Sequence, residues 1–415
     1  MSKTNKKKVG TLTPKKGSSS GVSGFGSGTE ILMVDGSMKC IEEIEVDDEV
    51  MWINGKPKTV ISTSKSKCEM YEVTPQKGQS YIVSGDHLLV LRATNLEMIW
   101  WDKRRSRWRI RWLENFTIVE RSFAMGMYDD SKSAAYKVAK KALADAQKRS
   151  GYTMPGAVVV IKASRFMKLS RRIQNCYKGF SRGLDFEEKD VLDPYVLGYW
   201  LGDGDSSGPG ITTAEEEIVE YFDNFASENM LQFRYGTNYR YNLTTATKYG
   251  GHGRNMFKNF LNDYELINNK HIPNDYLMNS RENRLKLLAG LVDSDGHNSN
   301  NTYDFVFKSE QLTDDVIFLA RSLGFKCFKV AVKKTCTNSS KGRVIGDYFR
   351  FCIHGEGLEK IPSLLKRKKT HARETKKNAL VTQIRVKAVG KKDCYHFELD
   401  NSKRCLLADF TVVHN

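Results

Sequence analysis

Two carboxylates stand at the ends of matched apolar runs. DPYVLGYWLGDGD covers 193–205 and RLKLLAGLVDSDG covers 284–296; they close on Asp203-Gly204 and Asp295-Gly296. Each run is predicted to be a helix, and Asp193-Pro194 supplies an N-cap and first-turn residue for the first. An Asp at a helix C-terminus meets partial negative charge, at a cost of roughly 0.3–1 kcal/mol. Gly198 and Gly202 in one run, with Ala289 and Gly290 in the other, are small enough to let two helix backbones meet. Packed together, such helices bring two acids to one place, where like charges repel unless a cation lies between them. Magnesium, an oxygen-seeking divalent ion, suits that place. Asp-Gly is also a common helix stop, so one copy proves nothing. Two copies 92 positions apart on matched helices favour a metal site. An EF-hand reading of Asp293-x-Asp295-Gly fails, because the later ligands and the terminal Glu are missing.

The charge points to a polyanion. The chain has 415 residues and a formal net charge of +17, and the charge is clustered. WWDKRRSRWRIRWL sets Arg104, Arg105, Arg107, Arg109 and Arg111 among four tryptophans, most of which are expected to pack rather than stack on bases. From Lys132 to Arg182 thirteen Lys or Arg face one acid, Asp145. They include Lys137, Lys140, Lys141, Arg165, Lys168, Arg171 and Arg172. A solvated helix face mixes signs to make i,i+4 pairs; this segment does not, so phosphate contact is the stronger expectation.

Positioning these groups needs more than one domain at this length. No apolar run reaches the length of a membrane span, so no membrane partner is expected. Residues 1–23 hold six lysines and no acid and lack the apolar stretch of a secretory signal. They read as a flexible basic tail in which Lys6 to Lys16 either form an import signal, with a nuclear location expected, or only solvate the chain. The eight cysteines fall singly, with no Cys-x-x-Cys pair, so buried thiols are expected and a zinc site is not. Residues 24–92 read as short strands broken by Asp35-Gly36 and Asn54-Gly55. SKSAAYKVAKKALADAQKRSG reads as a helix, with Ser131 as N-cap and Gly151 as stop. Helices and strands follow over 183–375, and strands return over 376–415. Strand-rich ends bracketing a basic, helical middle suggest one β domain interrupted by insertions.

LAGLVDSDG resembles the signature of the LAGLIDADG homing endonucleases, and VLGYWLGDG resembles its first, looser copy. The resemblance implies an α+β domain of two pseudo-symmetric αββαββα halves whose signature helices meet and whose sheets straddle DNA. It also implies that Asp203 and Asp295, with Gly202 and Ser294 beside them, bind metal and direct water at one phosphate on each strand. Lys270, in NNKHIPNDYL, resembles the lysine before Ile-Pro in vacuolar-ATPase-type intein endonucleases. Lys369, in LLKRKKTHARE, matches the second such lysine, with Lys368 the fallback.

The outer strands resemble inteins of the same type: TEILMVDGSMKCIEEI the first block, SGDHLLVL the Thr-x-x-His block, and FELDNSKRCLLADFTVVHN the last two. An all-β, horseshoe-shaped Hint domain is implied, with 93–182 as a DNA recognition region. Splicing needs a nucleophile at the first intein position, which falls on Gly24, and glycine has none. No acceptor residue follows Asn415, and Lys403 stands where relatives carry another histidine. Gly24, His87, His414 and Asn415 are therefore expected to be splicing remnants.

The expectation is a multidomain chain: tail 1–23, Hint parts 24–92 and 376–415, DNA recognition region 93–182 and endonuclease domain 183–375. It would act as a monomer on a long double-stranded DNA site, with Mg2+ (Mn2+ substituting), and cut without splicing. The alternatives are an intein-like DNA-binding protein that still processes itself and a non-cleaving, maturase-like DNA or RNA binder.

Overall fold

The computed structural model describes residues 23–94, 96, 98–246, 255–339, 342–372 and 378–415. The basic tail with Lys6 to Lys16, and the expected 375/376 boundary, lie outside the described residues.

The chain's two ends share a sheet. Strand Pro57–Pro75 runs antiparallel to Ile384–Leu399, from Ile384 opposite Pro75 to Leu399 opposite Val60, with register shifts at Ala388/Gly390 and Glu398/Leu399. Phe25–Gly26, Tyr81–Ser84 and Glu49–Met51 complete this five-stranded sheet. Asp35-Gly36 and Asn54-Gly55 are turn residues, as their tolerance of positive φ requires: Gly36 lies at +86° and Gly55 at +84°. Val412 and Val413 are buried, in the strand Val412–His414 paired with Arg404–Leu406.

The basic segment is stitched to this β unit. Leu88–Ala93 pairs on one side with Val158–Lys162 and on the other with Tyr177–Phe180. Beyond the join, Met98–Asp102, Arg107–Glu114 and Thr117–Ala124 form a meander. Helix Lys132–Gln147 packs on it through Ala139, Leu143 and Ala146 against Ile110 and Trp112. Ser131 is its N-cap, accepting from Ala134 N at 3.2 Å. The helix ends at Gln147, not at Gly151; residues 148–151 turn instead, and Asn115 N donates to Gly151 O at 3.0 Å. The tryptophans mostly pack. Trp112 is buried, Trp108 meets Trp101 edge-on at 5.4 Å, and its indole N–H donates to Lys132 O.

The remaining unit has two related halves. The first runs through helix Pro194–Asp203, strand Gly210–Thr212, helix Glu216–Glu228, strands Leu231–Tyr235 and Arg240–Thr245, and helix Met256–Asp263. The second runs through helix Arg281–Ser294, strands His297–Asn298 and Tyr303–Phe307, helix Glu310–Ser322, and strands Lys329–Ser339 and Gly342–Ile353. Two 3-10 turns, Leu358–Lys360 and Lys366–Lys368, stand where the αββαββα pattern ends in a helix. One continuous apolar core runs through both halves. A smaller cluster, including Phe318 and Phe410 with ring centroids 5.2 Å apart, joins this unit to the β unit.

Candidate active site

The signature helices Pro194–Asp203 and Arg281–Ser294 cross at backbone contact. A Cβ on Gly198 would fall 2.1 Å from Leu287 O, and one on Gly290 would fall 2.2 Å from Tyr195 O. Only glycine permits that approach, so the small residues are a geometric requirement. Asp193 caps the first helix, accepting from Tyr195 N at 2.7 Å and Val196 N at 3.3 Å. Asp293 ties the second into the core. It accepts from the Tyr195 hydroxyl at 2.8 Å, Ser363 Oγ at 2.5 Å and Leu364 N at 2.7 Å. That leaves Asp293 a structural carboxylate, and Asp295 the acid that faces out.

Asp203 is the last residue of one helix and Asp295 follows the last residue of the other. A lysine reaches the C-terminus of each helix. Lys270 Nζ donates to Trp200 O, Leu201 O and Gly204 O at 2.8, 3.1 and 2.7 Å, and to Gly202 O at 3.3 Å. Lys368 Nζ donates to Val292 O, Asp293 O and Ser294 O at 2.9, 2.6 and 2.8 Å. These groups donate to last-turn carbonyls, of which Trp200 O and Val292 O also accept from Gly204 N and Gly296 N, and they oppose the negative end of each helix dipole.

The electrostatics are tense. Burial, then repulsion from Asp295, pushes the Asp203 carboxyl up to about 6. Desolvation also raises Asp295, although that residue keeps an exposed surface. Burial lowers Lys270 to about 8 and lowers Lys368 as well, against the pull of both carboxylates. Two desolvated acids lie close to two lysine ammonium groups whose own burial disfavours their charge. A hard divalent cation fits that donor set: both side chains offer oxygen, and their mutual repulsion is what such an ion would relieve.

Two expectations change here. Lys369 is exposed, while Lys368, the fallback, is buried and contacts the end of its helix as Lys270 contacts the other. The 3-10 turn Lys366–Lys368 decides this by turning Lys368 inward and Lys369 out. Gly202 O and Ser294 O, expected beside the metal, each already accept from a lysine, which leaves one lone pair per oxygen. Gly202 also serves packing, since a Cβ there would lie 2.1 Å from Ser294 Oγ.

Residues 24–115 match the family described as Hom_end-associated Hint, and residues 271–379 match the family described as Homing endonuclease. The chain joins a Hint domain to a homing endonuclease domain. Curated relatives are similar over part of their length. The replicative DNA helicase DnaB of Mycobacterium intracellulare is 32% identical over 179 residues, 42% of this chain and 25% of that protein. The catalytic subunit of the V-type proton ATPase of Candida tropicalis is 37% identical over 78 residues, 16% of this chain and 7% of that protein. This chain therefore spans a quarter or less of each relative's length. Among solved structures, the gp41-1 intein is 30% identical, covering 17% of this chain and 53% of its own, with a TM-score of 0.15. I-DmoI in complex with DNA and Mn is 17% identical, covering 39% and 89%, with a TM-score of 0.26.

In the Hint domain the expected remnants form a second centre. Gly24 N donates to Ser84 Oγ at 3.1 Å, and the Ser23 hydroxyl lies 3.2 Å from His87 Nδ1. His87 is buried and neutral; burial first, then His414 and His396, lowers it to about 3. His414 Nδ1 lies 2.5 Å from Asn415 O. A residue missed in the sequence, His396, hydrogen-bonds through Nδ1 to the Ser23 carbonyl. It lies in a regular strand, Ile384–Leu399, with no local signal of a special role. Ser23, His396, Lys403, His414 and Asn415 line one cavity of about 340 Å³.

In the basic segment the structure sorts the candidates. Arg104 and Arg105 are exposed on the turn Lys103–Arg105, and Lys137, Lys140 and Lys141 are exposed on their helix. Arg165, Lys168 and Arg171 are exposed too, with Arg165 over the Phe116 ring at 5.6 Å. Four others are paired internally: Arg107 with Asp102, and Arg109, Arg111 and Arg172 all with Glu120 at 2.6–2.8 Å. Three guanidinium groups share that one carboxylate, so net positive charge remains but its geometry is fixed from within.

Proposed function

We propose that this chain is a site-specific homing endonuclease. It makes a staggered double-strand break, with 3′ overhangs, in a long duplex site, acts as a monomer and no longer splices. The observation that carries this is the pair Asp203 and Asp295 at the ends of crossing helices, each with a lysine seated on the same helix end. Mg2+, or Mn2+ in its place, would be held by Asp203 and Asp295; when bound, such an ion polarises the scissile phosphate and supplies nucleophilic water. Lys270 and Lys368 neutralise charge beside both carboxylates and hold the two helix ends in register. One acid serves each strand. Arg104, Arg105, Lys137, Lys140, Lys141, Arg165, Lys168 and Arg171 hold flanking phosphates, with the domain limits expected above and a nuclear location.

The loss of splicing rests on Gly24. The histidines surround the Ser23–Gly24 peptide, yet residue 24 offers no nucleophile, and a Cβ there would fall 2.2 Å from His396 Nδ1.

The test is cleavage of supercoiled plasmids selected from a random duplex library. The parent linearises its selected site in Mg2+, whereas Asp203→Asn and Asp295→Asn each nick one strand or do nothing. Parent-like linearisation by both variants would refute the assignment.

A further inference from the structure

The long antiparallel ribbon carries a group of donors that neither reaction uses. Cys394 sits opposite Ser66 and His396 opposite Ser64, so Ser64, Ser66 and Cys68 share one face with Cys394 and His396. Cys68 Sγ, Cys394 Sγ and a ring nitrogen of His396 lie within 4.8 Å of one another. Cys394 and His396 are buried, and Cys68 is half-buried. We propose that Cys68, Cys394 and His396 form a soft-metal site that takes Zn2+ beside the Ser23–Gly24 peptide, separate from the Asp203–Asp295 centre.

Three observations carry it. The first is ligand chemistry. Two thiolates and one imidazole suit zinc and repel magnesium, which demands oxygen. Tetrahedral zinc sets such ligands about 3.5–3.8 Å apart, so the group needs to contract by only about 1 Å. The second is the tautomer. The Ser23 carbonyl can only accept, so His396 Nδ1 carries the proton and Nε2 keeps its lone pair. A histidine that donates one ring N–H to a main-chain carbonyl is oriented as metal-bound histidines are. The third is order among the donors. Ser66 Oγ lies 2.9 Å from His396 Nε2 and 3.3 Å from Cys68 Sγ, which holds the ligands on one side of the ribbon. The cavity bordered by Ser23, His396, His414 and Asn415 leads to the imidazole.

Binding exchanges protons for metal. The Cys68 and Cys394 thiols each lose a proton to solvent, two Zn–S bonds form, His396 Nε2 gives a lone pair, and no redox change occurs. The ion would pin His396 against the Ser23 carbonyl and fasten together two strands more than 300 residues apart in sequence. The site stands or falls without the nuclease assignment.

The probe is Co2+, added with a thiol-free reductant to EDTA-stripped full chain carrying Asp203→Asn and Asp295→Asn. The expected result is an intense visible band with a near-ultraviolet thiolate-to-cobalt band, saturating at one equivalent and bleached by Zn2+. Cys68→Ser and Cys394→Ser each abolish the thiolate band, while Cys327→Ser, buried elsewhere, keeps it. Circular dichroism matched to the parent shows that the serine variants fold. Proton release of about two per Zn2+ in a weakly buffered titration gives an independent reading of the two-thiol site. A pale spectrum without the thiolate band, a band that survives both serine substitutions, or a mass two hydrogens short from a Cys68–Cys394 disulfide would each overturn the site.

Discussion

Lys270 and Lys368 make the same contact one half apart. Lys270 takes the carbonyls of residues 200, 201 and 202, and Lys368 takes those of 292, 293 and 294. The shift between the two sets is the shift between Asp203 and Asp295. Each ammonium thus stands in one register relative to its own carboxylate. Replacing Lys368 with Met should lower single-turnover cleavage about 10²-fold or more, in line with the loss of one preorganised charge. Lys369→Met should change the rate less than about threefold, as fits an exposed side chain making one phosphate contact. Equal losses in the two variants would contradict the pairing.

The pH dependence has a defined sign. Asp203 sits at about 6 against an ordinary 3.8, so the folded chain binds more protons than the unfolded chain between those values. Metal-free stability therefore falls as pH rises through that window, and Asp203→Asn should flatten the fall in a thermal-melt series in EDTA. Lys270 works oppositely higher up. Its folded value of about 8 against 10.5 makes stability rise as pH climbs between them. Cation binding needs ionised Asp203, so Mg2+-dependent cleavage should drop as pH falls below about 6, approaching tenfold per unit.

The helix crossing should tolerate little. Gly290→Ala places a methyl group against main-chain Tyr195 O, where backbone cannot move aside cheaply. Overpacking of this kind costs roughly 1–3 kcal/mol. Chemical denaturation should show that loss, with cleavage falling further because the two carboxylates move apart.

The basic segment should separate into two classes. Arg104→Ala with Arg105→Ala should weaken DNA binding and reduce the log–log salt slope by about 1–2, since both side chains are exposed. Glu120→Gln should do the reverse. It frees Arg109, Arg111 and Arg172, so non-specific affinity should rise with a steeper salt slope, while the meander loses about 1 kcal/mol or more of stability. Filter binding at several salt concentrations checks both.

Changes at the Hint end should leave cleavage alone. His414→Ala with Asn415→Ala should keep the cleavage rate within about twofold, because neither side chain contacts the endonuclease helices among the described residues. The purified chain should keep its intact mass of 47.3 kDa on prolonged incubation, as Gly24 supplies no attacking atom.

Local chemistry in the chain was enough for the framework. The repeated Asp-Gly ends, the small residues between them, the Asp193-Pro194 start and the turn glycines at Gly36 and Gly55 each act within a few residues, so their spacing carries their meaning. The return of strands after residue 378 likewise announced an interrupted β domain. Tertiary structure alone decided what depends on which way a side chain turns or what lies across a gap. Adjacent lysines are equivalent in sequence, and only the turn at 366–368 buries Lys368 and exposes Lys369. The arginines read as free charge until the meander brought Glu120 between three of them. Cysteines that fall singly showed no metal spacing, yet pairing of Pro57–Pro75 with Ile384–Leu399 sets Cys68 beside Cys394 and His396. That juxtaposition is a product of strand register over more than 300 residues, which local pattern does not encode.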